Sequence, residues 1–228
     1  MSWLTRTLSS SIGKKVIMSL TGLFLIVFLV VHLSGNLLLL KNDGGQAFNE
    51  YTVFMTTNPI VKTLSYILYA VILIHVIYSL ILSVNNRDAR PVRYALYKGE
   101  ANSSWPSRHM GLLGTIILIF LVIHLKSFWY GLKIGVVPVI TYPEFGEAED
   151  LYTVVKEAFS QWWYVALYVI SMIGLAYHLT HGFVSAFQTL GLQHRKYTPF
   201  IKKVGIVFAI IVPLLFALIP IIMFMNSL

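Results

Sequence analysis

Residues 16–40 read VIMSLTGLFLIVFLVVHLSGNLLLL, a stretch with no charged side chain and a single histidine, His32. About 20 apolar residues, each rising ~1.5 Å in a helix, cross a bilayer core of ~30 Å, so this stretch spells a membrane-crossing helix. The pattern recurs along the chain. Residues 63–86 are uncharged, and 111–130 hold only Lys126, close enough to the end of the run to snorkel into the interface. An uncharged run from 158 is broken near Gly191 and stopped by Arg195 and Lys196. The last run, from 204, contains Pro213 and Pro220, which membrane helices tolerate as kinks. The expected fold is therefore all-α: an integral membrane bundle of five transmembrane helices over 16–40, 61–86, 109–131, 161–190 and 203–226, forming one domain over 1–228. The first span is too long for a signal-peptide core, and no convincing small-residue cleavage site follows it, so it is expected to stay.

Composition agrees. Of 228 residues, 57% are hydrophobic and 11% charged, against about 25% charged in soluble domains, and the mean hydropathy is +0.75. A net charge of +8 raises the possibility of nucleic acid, but the charges sit in short loops between apolar runs, so no such partner is expected. The chain has no cysteine, which excludes disulfides, iron–sulfur ligation and thiol chemistry on its own residues. The largest extramembrane piece, 132–161, carries Pro138, Pro143 and an acidic stretch expected to form a short surface helix. No loop can hold a catalytic domain, so chemistry must lie within the bundle or on a partner.

Basic residues orient the bundle. The N-terminal arm has Arg6, Lys14 and Lys15. The loop between spans II and III has Arg87, Arg90, Arg93, Lys98 and Arg108, and the one after span IV has Arg195, Lys196, Lys202 and Lys203. All fall on one side of a five-span chain, which is read as cytoplasmic. The other side takes most of the acids, including Glu144, Glu147, Glu149, Asp150 and Glu157. The N-terminus is expected inside and the C-terminus outside.

Five of the seven histidines lie within spans: His32 in I, His75 in II, His124 in III, His178 and His181 in IV. Ionisable groups in hydrocarbon are costly and usually face the bundle interior. One such histidine is unremarkable as a helix-to-helix hydrogen bond; four consecutive spans each supplying one is a pattern. Counting ~1.5 Å per residue from the nearest cytoplasmic charge places His32 at ~25 Å and His124 at ~24 Å. His75 falls at ~18 Å and His181 at ~21 Å, with His178 at ~25 Å. Spans I and III thus offer an outer pair, and II and IV an inner one, with depth favouring His181 over His178 only weakly. Two facing imidazoles hold a haem iron from both sides. Zinc fits less well, since its ligands gather in one place and usually include cysteine or carboxylate. Gly22, Gly35, Gly111, Gly114, Gly174 and Gly182 would let a porphyrin approach the backbone, and are equally the small residues that pack membrane helices.

These residues resemble the cytochrome b membrane-anchor subunit of succinate dehydrogenase (complex II) and fumarate reductase, in its five-helix, di-haem form. The resemblance runs over nearly the whole chain. It rests on Ser19-Leu-Thr-Gly-Leu-Phe with His32 beyond it, Ile74-His75, Gly114 with Val122-Ile123-His124-Leu125, and His181-Gly182. It implies two haem b groups, the outer on His32 and His124, the inner on His75 and His181, with His178 auxiliary. Ser19, Arg108, His109, His178 and His194 become candidates for propionate or second-layer contacts, and Glu50 for quinol proton handling. It further implies a flavoprotein subunit and an iron–sulfur subunit as partners, carrying the FAD and the clusters. A membrane quinone, by resemblance menaquinone, would be the substrate, and the bacterial inner membrane the location. No succinate chemistry is expected on this chain. A cytochrome b anchor of a hydrogenase or formate dehydrogenase, and a transporter or structural protein using its histidines otherwise, are the alternatives.

Overall fold

The computed structural model describes residues 6, 9–89 and 99–228; Arg90, Arg93 and Lys98 of the expected cytoplasmic set lie outside them. Five helical stretches are long and apolar enough to cross a membrane: Ser11–Leu40, Pro59–Asp88, Met110–Ile134, Trp162–Thr189 and Thr198–Met225. They suggest a multi-pass membrane protein. In chain order the elements are α1 (Ser11–Asn36) with a 3-10 turn (Leu37–Leu40), α2 (Gln46–Thr57) and α3 (Pro59–Asp88). Two short turns, α4 (Gly99–Asn102) and α5 (Trp105–Arg108), lead to α6 (Met110–His124), a π turn (Leu125–Trp129) and α7 (Tyr130–Ile134). Strands β1 (Val139–Tyr142) and β2 (Gly146–Glu149), then α8 (Leu151–Phe159), α9 (Trp162–Thr189) and α10 (Thr198–Met225), complete the chain. Spans I to V are α1, α3, α6 to α7, α9 and α10.

Local chemistry sets the ends. The Ser10 hydroxyl accepts the Gly13 N–H at 3.0 Å and starts α1. Asn58 accepts the Ile60 and Val61 N–H groups, with Pro59 at the first helical position of α3. Helix α9 stops at Thr189 because Gly191 takes φ +74°. The Leu192 N–H then reaches Phe187 O at 3.0 Å, and the Gly191 N–H reaches Gln188 O at 3.1 Å, a Schellman stop.

Span IV is the hub: α9 packs along α10, α1 and α6. Helix α10 comes closest where Gly205 faces Phe183; a Cβ there would lie 2.7 Å from the phenyl ring. Ala209 beside it is 0% exposed, and Pro213 and Pro220 are buried within a continuous α10. Span II is the outlier. Helix α3 packs mainly along α1, and none of its residues is buried.

At the end of the bundle away from the start of α1 sits a small cap that departs from the all-α expectation. Strands β1 and β2 pair antiparallel, Val139 opposite Glu149 and Tyr142 opposite Gly146. The acidic residues Glu147 and Glu149, expected in a surface helix, are in β2; the helix begins only at Leu151, because the Asp150 side chain caps it by accepting the Thr153 N–H at 3.2 Å. Helix α2, in the loop between spans I and II, was not expected either. Asn49 of α2 ties the cap together. It is 0% exposed, donates to Tyr142 Oη at 3.0 Å and Asp150 Oδ1 at 2.9 Å, and accepts the Tyr152 N–H at 2.9 Å. Asn49→Ala is expected to destabilise the cap by about 2–3 kcal/mol, since a buried donor to a carboxylate and an acceptor are lost together. Faster amide exchange confined to α2, β2 and α8 is the measurement.

The same carboxylate makes the cap pH-sensitive. Burial alone would raise the Asp150 carboxyl, but hydrogen bonds from the Thr153 side chain, the Asn49 amide and the Thr153 backbone hold it below its ordinary value of 3.8. A lowered folded-state value means the stabilisation is complete above the unfolded value and lost as pH falls through the folded one. Cap protection should therefore be flat from neutral pH down to about 5 and fall below about 4. In Asp150→Asn that acid-dependent step should disappear.

Candidate functional site

Helix α1 presents His32 and α6 presents His124, with ring centroids 5.7 Å apart and planes at 88°. Helix α3 presents His75 and α9 presents His178, with centroids 6.5 Å apart and planes at 62°. The first pair is the one expected. In the second, the residue meeting His75 is His178, whereas His181, one turn further on and partly exposed, makes no ring contact with His75 among the described residues. The Schellman stop explains the difference. The depth count assumed helix up to Arg195, but α9 ends at Thr189. Counted from the helix ends Thr189 and Asp88, His178 lies ~17 Å in, His181 ~12 Å and His75 ~20 Å.

Neither pair lies between closely packed helices. Among the described residues, α1 does not pack closely on α6, nor α3 on α9, yet the imidazoles meet across both separations. Each pair also has one ring held from behind. Thr21 Oγ1 lies 3.0 Å from His75 Nδ1, and Tyr168 Oη lies 3.1 Å from His124 Nδ1, while among the described residues neither Nε2 has a hydrogen bond. Sequence reasoning missed both partners, although Thr21 belongs to the Ser19-Leu-Thr-Gly motif and Tyr168 forms an i, i+4 pair with Tyr164 inside a span. His178 Nδ1 is buried and without a hydrogen-bond partner.

The outer pair is wrapped in aromatic rings. Phe28 stacks on His32 at 5.1 Å and Phe216 approaches it at 5.7 Å. Phe120 stacks on His124 at 5.7 Å, and Phe128 meets it edge-on at 5.6 Å. Phe159 of α8 seals the cap onto this cluster, 5.0 Å from the Tyr168 ring. Immediately after His124 the helix widens into the π turn, closed by the Tyr130 N–H on Leu125 O; such bulges often mark functional sites. The turn carries Trp129, whose Nε1 donates to Tyr69 Oη at 2.7 Å and fastens span III to span II.

The other sequence candidates close on local partners. Ser19 donates to Lys15 O at 2.9 Å. Arg108 donates to Ser103 O and stands 3.9 Å from Glu100. The His109 ring stacks on Trp105 at 4.3 Å, with Nδ1 2.9 Å from Trp105 O. His194 Nδ1 accepts the Lys196 N–H at 3.2 Å, and Glu50 accepts from Gln46 Nε2 at 2.7 Å. None of these bonds leads to either histidine pair.

Two-point ligation is the chemistry this arrangement suits. Imidazole nitrogens sit about 2 Å from a transition metal, so two rings on opposite sides of one metal have centroids about 6.3 Å apart. The inner pair matches that spacing and the outer pair falls a little inside it. Among the described residues no three histidine or carboxylate groups converge, so a compact zinc site has no ligand set there. The glycines divide. Gly35 takes the Tyr51 ring, and a Cβ on Gly174 would lie 3.4 Å from Ile116, while Gly111, Gly114 and Gly182 face open space. Each facing pair thus offers two imidazoles that could ligate one metal from opposite sides. Compared with known protein families, curated proteins and solved structures, the chain matches none.

Proposed function

We propose that this chain is the di-haem cytochrome b membrane anchor of a succinate:quinone oxidoreductase or quinol:fumarate reductase. The observation that carries the proposal is the pair of histidine pairs, each bridging two helices that, among the described residues, do not pack closely on one another. His32 and His124 would hold the outer haem b, and His75 and His178 the inner. In this assignment His178 replaces His181 as ligand, and His181 becomes the auxiliary residue. Bound haem would supply a one-electron carrier at each level.

The chain's own residues hold, orient and shield. Thr21 and Tyr168 keep two of the four rings with Nε2 free. The aromatic cluster and Phe159 keep water from the outer pair, and a low local dielectric strengthens the effect of every polar contact there. The basic loops would face the cytoplasm, with the N-terminus inside and the C-terminus outside. There they would dock an iron–sulfur subunit, which with a flavoprotein subunit carries the clusters, the FAD and the succinate chemistry. A quinone, menaquinone by resemblance, would exchange electrons near the outer pair, with Glu50 as candidate proton handler, in the bacterial inner membrane.

The test is purification of the intact complex, a reduced-minus-oxidised spectrum and haem quantification. Two low-spin b haems per chain, with a co-purifying flavoprotein active on succinate, are expected. Absence of a b-type signal removes the haem assignment. A haem-bearing complex whose partner oxidises hydrogen or formate moves the anchor to another dehydrogenase.

A further inference from the structure

We infer that Thr21 and Tyr168 are positioning residues, one for each histidine pair, and that each pair is built from one anchored and one unanchored imidazole. The assignment rests on the di-haem reading. A histidine that binds metal through Nε2 carries its proton on Nδ1, so Nδ1 must donate and needs an acceptor. His75 finds Thr21 Oγ1 at 3.0 Å. The Thr21 hydroxyl proton has Ile17 O at 2.8 Å and Met18 O at 3.0 Å as its own acceptors, which leaves an oxygen lone pair for the imidazole. His124 finds Tyr168 Oη at 3.1 Å, and the Tyr168 O–H has Tyr164 Oη at 3.4 Å as its outlet. Both acceptors are buried, Thr21 at 8% and Tyr168 at 6% exposure. Both bonds cross between spans, from I to II and from IV to III.

The opposite ligands have nothing equivalent. Among the described residues, His178 Nδ1 has no partner. The polar group nearest the His32 ring is Asn36 Nδ2, at 3.4 Å from Nδ1 and 3.5 Å from Nε2. An amide NH2 donates and cannot accept, and this one is committed to His32 O at 2.7 Å. So Thr21 orients the inner pair through His75 alone, and Tyr168 the outer pair through His124 alone. An acceptor on Nδ1–H makes the imidazole a stronger electron donor, which favours the oxidised metal. Removing it should raise the potential of that haem only.

Tyr168→Phe and Thr21→Val keep the shape of each side chain and delete the acceptor, and Thr21→Ser restores it. Redox titration of the purified complex, followed at the haem bands, reads the result. His32→Ala and His178→Ala serve to assign the outer and inner signals. Tyr168→Phe should shift the outer potential upward and leave the inner one in place, and Thr21→Val the reverse. The expected size is roughly tenfold in the oxidised-to-reduced ratio, or about 59 mV for one electron, with Thr21→Ser returning to the starting value. Selective loss of the corresponding haem is the stronger form of the same result. Potentials that ignore both substitutions, or that move together in each variant, overturn this assignment and leave the di-haem reading standing. No b-type haem in the unsubstituted protein overturns both.

Discussion

His178→Ala is expected to leave one b-type haem per chain, while His181→Ala keeps two. The two residues are one turn apart on α9, so a general disturbance of the helix would affect both variants alike. Among the described residues, only His178 stands opposite His75, at 6.5 Å between ring centroids, and its Nδ1 is buried with no protein partner. On the proposed di-haem reading, an alanine there would remove one of two axial donors and leave His75, still bonded to Thr21, facing no second imidazole. The inner haem should be lost or converted to a high-spin, ligand-binding form, visible by carbon monoxide difference spectroscopy. His181→Ala should change neither haem content nor spin state. If the two variants exchange these results, the inner ligand is His181, and the facing geometry of His178 has another use.

His32→Ala or His124→Ala should remove the outer haem and leave the inner one. Changing even a second-layer partner of a metal ligand costs 10–100-fold in affinity or activity, so deleting a ligand should lower quinone turnover by at least about a hundredfold. On the proposed reading, succinate oxidation with a soluble acceptor, assigned to the partner subunits, should survive. The chain should still fold. Of the rings around this pair, Phe128 packs with Phe159, Tyr164 and Tyr168 without the imidazoles, and Phe120 and Phe216 lie against the same core. A glycerol gradient showing an intact complex with half the haem is the matching observation.

What could be read from sequence alone follows the range of the forces involved. Spans depend on summed hydrophobicity over about 20 residues, so all five were legible, with edges shifted where a cap intervened. The outer pair was legible because Lys15 and Arg108 stand close to the starts of α1 and α6, so counting residues approximated depth. That the ring facing His75 is His178 was not legible, because the five uncharged residues between Thr189 and Arg195 contain a stop signal, Gly191, whose effect is backbone geometry rather than polarity. The cap was illegible for a different reason. Asn49, Tyr142 and Asp150 are about a hundred positions apart at the extremes, and no local pattern announces that an amide will meet a carboxylate so far along the chain. Thr21 and Tyr168 were hidden likewise, since hydroxyls in membrane helices most often satisfy themselves on the preceding turn, as Ser19 and Ser171 do here.

Span II, with no buried residue and close company mainly from span I, has a consequence for biogenesis. This helix rests along span I and meets span IV through His75 and His178, so on the di-haem reading its place against span IV would be fixed when a haem joins those two rings. On the di-haem reading, newly made chains in haem-starved cells should carry a second helix not yet bridged to span IV, recognisable to membrane proteases. On the same reading, quality control would act on cofactor loading itself, and the level of this chain in the membrane would track haem supply.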